Sequence, residues 1–322
     1  MKKKLADRII GTYGQDEAGP LVMVLGGIHG NEPAGIRALQ RVLHVLQASK
    51  LPLHGRLLGI RGNLQALAFR ERYLTHDLNR LWTRARIATL EHAHAQGQHL
   101  RHEEAELMAL LGLLRQWDHT PHHPKILIDL HTTSAPGGRF SVVEDDPISL
   151  ELASALHAPI ILGLTRALQG TTASYCVQHG WHGLAFEAGQ HHDPRAVDDH
   201  AAALWALLHT LGCLPQALIS QAEAQAAHLQ GGTHDLPNLV EVVYRHAIEP
   251  DDHFRMRPGY INFQPVAKDE HLADDRNGAV LAPEAGLMLM PLYQPQGADG
   301  FFIVQPRPVE VYTNQRSLIG DQ

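Results

Sequence analysis

The chain has 322 residues, 44% of them hydrophobic, enough apolar material for one large domain or two smaller ones around a buried core. Its net charge of −7 and pI near 6.4 run against a surface built to neutralise nucleic-acid phosphates. No stretch approaches the roughly 20 apolar residues of a membrane span, the basic start MKKKLADRII lacks the apolar run of a signal peptide, and Cys176 and Cys213 lie outside any CxxC spacing, so a reducing, cytoplasmic setting without a disulfide framework is expected.

Leu21 to Leu25 is a continuous apolar run ended by Gly26-Gly27, the pattern of a strand buried on both faces in a parallel sheet. Pro33 to Leu46 follows with helical periodicity through Ile36, Leu39, Val42, Leu43 and Leu46, and Pro33 suits the first helical turn. Arg56 to Ile60 reads as a second strand, and Glu103 to Trp117 as a helix with Leu107, Leu110, Leu111 and Leu114 on one stripe. Ile126 to Leu130, Arg139 to Val143, Pro159 to Leu164 and Gly183 to Phe186 are further strands, and Ala196 to Leu211 is a helix. This alternation predicts an α/β layer fold.

The character changes after Cys213. Gln216 to Leu229 reads as an Ala- and Gln-rich helix broken by Gly231-Gly232. From Leu239, short strand-like runs recur between Pro- and Gly-containing turns up to Val311. The expected division is a domain over 1–213 and a smaller, mainly β domain over 214–322 that borders the entrance to any site of the first; a homodimer supported by it is a further expectation.

The 24 histidines invite a metal hypothesis, but most lie in surface-like runs. His92, His94, His99 and His102, and the cluster His119, His122 and His123, have neither carboxylate partners nor regular ligand spacing, so they read as solvated. More telling is Gly26-Gly27-Ile28-His29-Gly30-Asn31-Glu32, where a buried strand runs out into a helix. In open α/β sheets binding crevices lie outside the carboxyl ends of strands. His29 and Glu32 can turn to one point there, and glycines let the backbone bend. Ile128-Asp129-Leu130-His131 ends another buried strand in a histidine. Two histidines and a glutamate are the donor set of a tetrahedral Zn²⁺ with one position open, so His29, Glu32 and His131 are the candidate ligands of one zinc ion per chain.

Phe186-Glu187-Ala188-Gly189 puts a carboxylate at the end of another apolar run, and Glu187 is the candidate to take a proton from zinc-bound water. Arg72-Tyr73-Leu74-Thr75-His76-Asp77-Leu78-Asn79-Arg80 gathers two guanidiniums and an amide able to grip a carboxylate.

Taken together, HGNE, RYLTHDLNR, DLHTTS and FEAG resemble the succinylglutamate desuccinylase/aspartoacylase family in order and approximate spacing. The resemblance covers the first domain well and the second loosely, through Tyr260-Ile261-Asn262-Phe263. It implies a zinc-carboxypeptidase-like fold: a mixed, largely parallel sheet flanked by helices, with a smaller β-rich C-terminal part. It implies that His29, Glu32 and His131 ligate zinc and that Glu187 is the general base and acid. Arg72 would help polarise the scissile carbonyl, Asn79 and Arg80 would hold the substrate α-carboxylate, and Asp77 would orient their loop.

The expected activity is therefore hydrolysis of the amide bond of a small N-acyl amino acid, with zinc as cofactor and with no nucleic-acid or membrane partner. Two alternatives stand beside it: a zinc carboxypeptidase acting on peptides or peptidoglycan fragments, and a zinc-containing binding protein without catalysis. One departure concerns the substrate. Family members of known specificity carry an arginine ten residues before the base, where this chain has Val177. Gln178, His179 and the more distant Arg166 are the only polar or basic residues nearby, and Arg166 or a protonated His179 is the expected stand-in. No counterpart of the aspartoacylase pocket tyrosine is found around Asp299.

Overall fold

Val22, Val24 and their neighbours in Leu21–Gly26 are fully buried, as the apolar run required. The computed structural model describes residues 8–14, 19–144, 146–231 and 235–308. In chain order its elements begin with β1 (Ile9–Gly14), β2 (Leu21–Gly26), α1 (Ala34–Ser49), β3 (Arg56–Arg61), α2 (Leu64–Phe69), α3 (Arg84–Ala95) and α4 (His102–Asp118). There follow β4 (Lys125–Thr133), β5 (Phe140–Val143), α5 (Pro147–Ser154), β6 (Ile160–Leu162), α6 (Leu164–Ala167), α7 (Thr172–Gln178), β7 (His182–Gln190), α8 (Ala196–Thr210) and α9 (Gln216–Gln230). Strands then dominate: β8 (Leu239–Ala247), β9 (Arg255–Met256), β10 (Pro265–Val266), β11 (His271–Asp275), β12 (Gly278–Leu281), β13 (Gly286–Leu289) and β14 (Asp299–Pro306).

One sheet carries eleven of these strands, in the order β1-β3-β2-β4-β7-β5-β6-β8-β14-β13-β10. From β3 through β2 and β4 to β7 all pairs are parallel, while β5 runs against β7 and is parallel to β6, which is parallel to β8. Strands β8, β14, β13 and β10 then pair antiparallel, so the C-terminal strands extend the first sheet. β12, β11 and β9 form a separate three-stranded sheet with its own core around Met256, Leu272 and Phe301. Helix α9 packs into the first core through Leu218, Ala222 and Leu229. The strand pattern expected up to Val311 ends at Pro306 within the described residues, and positions 309–311 lie outside them.

Alternation along the strands separates two cores. Val22, Val24, Ile126, Ile128, Leu184 and Phe186 face α1 and α8. Leu21, Met23, Leu25, Leu58 and Leu127 face the stripe Leu107, Leu110, Leu111 and Leu114 of α4. A sheet covered by helices on both faces explains why its strands read as unbroken apolar runs. Chain order also reverses between β2 and β4: β3 lies beyond one and β7 beyond the other. That reversal makes the carboxyl ends of β2 and β4 the natural crevice.

Histidine placement differs from expectation at His122, and in part at His102, which is half-buried with its Nδ1 shielded from solvent. His92, His94, His99, His119 and His123 are exposed, but His122 is buried, with its ring near Trp117 and its Nδ1 3.2 Å from the Gly19 carbonyl. An aromatic neighbour and a carbonyl give that imidazole a satisfied apolar niche, which local composition could not reveal. Cys176 and Cys213 are both free and buried. Among the described residues no helix is long and apolar enough to cross a membrane.

Candidate metal centre and adjoining pocket

The turn after β2 delivers the first two site residues. Gly27 adopts φ 70°, a left-handed conformation that a side chain disfavours. A Cβ on Gly30 would lie 2.1 Å from the Ala66 carbonyl carbon, so only glycine lets the turn lie against α2. The turn brings His29 Nδ1 to 2.9 Å from Glu32 Oε1. His131 comes from the end of β4, and its Nδ1 lies 3.1 Å from Glu32 Oε2. All three side chains are at most 5% exposed, and one donor atom from each lies within 4.8 Å of the others.

The far nitrogen of each imidazole meets a second carboxylate. His29 Nε2 is 3.0 Å from Asp77 Oδ1, and His131 Nε2 is 3.1 Å from Asp129 Oδ2. An outer carboxylate on one ring nitrogen fixes the tautomer and leaves the other nitrogen's lone pair for a cation. Burial alone would raise the pKa of Glu32, but the two histidines hold it well below the usual carboxylate range. For His131 burial acts to lower the pKa, yet Asp129 and Glu32 raise it well above the ordinary value. Such an electron-rich, closely spaced N, O, N set suits a divalent cation.

Glu187 stands beside this cluster. Strands β4 and β7 are parallel with His131 opposite Glu187, so the two side chains share a sheet face with Asp129. Glu187 is 8% exposed, and its Oε2 has no hydrogen-bond partner among the described residues. Burial is the main cause that pushes its carboxyl up to about 8; Glu32 and Asp129 reinforce it, while His131 and Arg72 oppose it. A buried, unpaired carboxyl next to a cation site is equipped to take and return a proton.

The loop 72–80 closes the other side. Arg72 reaches Asp77 Oδ2 at 2.9 Å and Glu32 Oε1 at 3.4 Å. Asp77 would be raised by burial, but Arg72 and then His29 hold it well below the usual range. Asn79 is buried, its Oδ1 accepting from the Thr172 backbone N–H at 2.9 Å and its Nδ2 lying 3.4 Å from His131 Nε2. Arg80 donates to Asp299 Oδ2 at 3.0 Å, and Arg245 donates to the other oxygen of that carboxylate at 2.6 Å. All seven sequence candidates, His29, Glu32, Arg72, Asn79, Arg80, His131 and Glu187, line a single cavity of about 120 Å³.

Residues beyond that set also shape it. Glu103, fully buried at the start of α4, accepts from Asn63 Nδ2, the backbone N–H groups of Leu74, Thr75 and His76, and the Thr75 hydroxyl. Burial would raise its carboxyl, but these donors hold it at about 2. In sequence it looks like an ordinary acid in a first helical turn, and nothing local signals its partners. Asp129 was legible: it lies two residues before His131 in a strand, hence on the same face. Asp299, Met290, Leu292 and Gln294, from the C-terminal strands and the loop before β14, form the outer wall.

The two cations expected to replace the missing arginine stand elsewhere. Arg166 is exposed and paired with Glu241 at 2.8 Å. His179 lies at the end of α7, stacked on Tyr175, with its Nδ1 2.7 Å from the Tyr175 carbonyl. Neither lines the cavity, and Val177 does not line it either. Helix α7 turns Val177 and His179 away and α6 does the same for Arg166, directions the linear spacing could not give.

A doubly covered α/β sheet with a His–Glu–His cluster that could hold a metal ion, and a buried carboxyl beside it at the strand ends, defines the class of this α/β protein. The family model for the succinylglutamate desuccinylase/aspartoacylase catalytic domain matches residues 18–208, and the chain belongs to that family. A succinylglutamate desuccinylase of Yersinia enterocolitica is 51% identical over 61 residues, a match that spans 19% of this chain and 18% of the relative. The fold resembles the crystal structure of a Vibrio cholerae succinylglutamate desuccinylase, with a TM-score of 0.62 at 20% identity over 90% of this chain and 82% of the other. It also resembles murine aminoacylase 3, with a TM-score of 0.54 at 18% identity over 90% and 96% of the two chains.

Proposed function

We propose that this protein is a zinc-dependent amidohydrolase that releases the amine from a small N-acyl amino acid. The observation that carries the reading is Glu187, a buried carboxyl with a free oxygen on the same sheet face as His131 of the ligand cluster. Membership of a family named for deacylases supports it.

His29 and His131 would hold zinc through Nδ1 and Glu32 through its carboxylate, with Asp77 and Asp129 fixing the rings from behind. Zinc held there supplies a Lewis acid that makes water a nucleophile near neutral pH. Glu187 takes the proton of the attacking water on its carboxylate and returns it to the leaving nitrogen. Burial pushes the Glu187 carboxyl up to about 8, and its basic form would be favoured if a cation were held at the neighbouring cluster. Arg72 stabilises the negative charge that grows on the substrate carbonyl oxygen. Asn79 and Arg80 orient the amino-acid half by its α-carboxylate, and Asp299 sets the plane of the Arg80 guanidinium.

The alternative of peptide or peptidoglycan cleavage needs an open groove. Here Gln294 bonds Asn31 at 3.0 Å, and Gln296 donates to the Tyr73 carbonyl at 3.0 Å, so the loop before β14 is tied to the two segments that carry His29 and Arg72. That wall favours small substrates. The test is amine release from a panel of N-acetyl and N-succinyl amino acids by zinc-loaded protein. Wild type turns over at least one substrate, and Glu187→Gln loses turnover while keeping zinc content and melting temperature. Full activity in that variant would refute the role of Glu187. Tight zinc with no hydrolysis of any panel member would favour a binding protein.

A further inference from the structure

Beyond Glu187 the cavity continues along the sheet. β5 and β7 are antiparallel, with Phe140 opposite Glu187 and Val142 opposite Ala185. On the shared face the β7 side chains shrink from Glu187 to Ala185 to Gly183, leaving a trough that runs from Glu187 past Ala185 to Gly183, where Ala173 and Val177 of α7 pack over the strand and close it. Leu164, Leu168 and Phe302 wall it with apolar surface. At its far end stands Glu144, four residues past Phe140 and therefore ~13 Å along the strand direction. One oxygen of Glu144 accepts from the Ser174 hydroxyl at 2.8 Å. Among the described residues no ion pair engages Glu144.

The charge balance of the cavity points the same way. Arg72 and Arg80 are the cationic Arg or Lys side chains that line it, and each already meets carboxylates, Asp77 and Glu32 for one and Asp299 for the other. Among the described residues neither forms an ion pair with Glu144, and a substrate carboxylate placed beside Glu144 would meet a like charge. The segment Thr171–Ser174 links the two ends: Thr172 donates to Asn79, and Ser174 donates to Glu144. One short segment thus connects Asn79, the residue proposed above to hold the substrate α-carboxylate, with Glu144 at the end of the trough.

We infer that the apolar trough ending in Glu144 is the side-chain pocket, and that it selects an N-acylated basic amino acid, whose aliphatic stem lies on Val142, Leu164 and Leu168 and whose ammonium or guanidinium pairs with Glu144. This rests on the amidohydrolase reading above but makes a separate claim about specificity. The stem gains apolar contact, and the cation satisfies a carboxylate that a neutral side chain leaves without a counter-charge.

The test compares zinc-loaded wild type on Nα-acetyl-ornithine, Nα-acetyl-lysine, N-acetylnorleucine and N-acetylglutamate. The basic substrates exceed norleucine in kcat/KM by about tenfold or more, and glutamate is last. Glu144→Gln brings the basic-to-norleucine ratio close to one, and Glu144→Lys moves the preference towards glutamate. Product binding gives a second readout: ornithine raises the melting temperature of wild type more than norleucine does, and Glu144→Gln erases the difference. Preference for glutamate, or an unaltered ratio in Glu144→Gln, would overturn the pocket assignment while leaving the hydrolase intact. Ornithine-specific stabilisation lost in Glu144→Gln, without hydrolysis of any substrate, would keep the pocket and sink the hydrolase.

Discussion

Replacing Glu103 by Gln probes how the loop 72–80 is held. The native carboxylate accepts five hydrogen bonds, three of them from backbone N–H groups at 74–76, immediately before Asp77 and Asn79. Glutamine keeps the shape but offers one acceptor oxygen, so two or three buried donors would face an amide NH₂. Each unmatched buried donor costs roughly 1–3 kcal/mol, and with partial relaxation the substitution should destabilise the fold by about 3–5 kcal/mol. With roughly 2.1 cal/mol/K of unfolding entropy per residue, a chain of 322 residues should lose about 4–7 °C in melting temperature. The pH dependence supplies a signature. Because the folded pKa is depressed to about 2 from the ordinary 4.5 of a glutamate, the Glu103 contribution is complete above about 4.5 and fades as pH falls towards 2. Calorimetric melts at pH 7, 4.5 and 3 should therefore converge for wild type and variant on acidification. Turnover should fall with stability, since Arg72, Asp77 and Asn79 move with the loop. Equal melting temperatures at pH 7, or a gap that widens on acidification, would refute the reasoning.

Metal analysis of wild type should find about one zinc per chain, and His29→Ala or His131→Ala should lose it; retained stoichiometry in both would remove the site. Asp129→Asn should weaken zinc affinity roughly 10–100-fold without removing a ligand, as competition with a chelator would show, and unchanged affinity would deny Asp129 its orienting role. Arg80→Lys should lower kcat/KM about tenfold or more, because an ammonium cannot meet Asp299 and a substrate carboxylate with one planar fork; undiminished efficiency would separate Arg80 from substrate binding.

How much of this was legible in the sequence depended on whether the signal was local. His29, Glu32, His131 and Glu187 could be read because each sits where a buried apolar run stops, and a parallel sheet brings such ends together whatever lies between them. The same logic gives Asp129, through the two-residue period of β4. The strands and helices of the first part were equally plain, since burial on both faces writes a continuous apolar code.

What the sequence could not decide were partnerships between distant segments. Glu103 holds residues 74–76 across 27 to 29 positions. Asp299 meets Arg80 across 219 positions, and the tie of Gln296 to Tyr73 spans 223. Arg166 and His179 were close in sequence to the expected pocket, yet Arg166 pairs with Glu241 and His179 packs on Tyr175. The direction of a side chain on a short helix depends on what that helix packs against. Sequence by itself determined which polar residues gather at the strand ends, because composition and period fix where a strand ends and which face a side chain takes. Only the tertiary structure decided how they are restrained and what the pocket admits, because those depend on contacts between segments that carry no shared local signal.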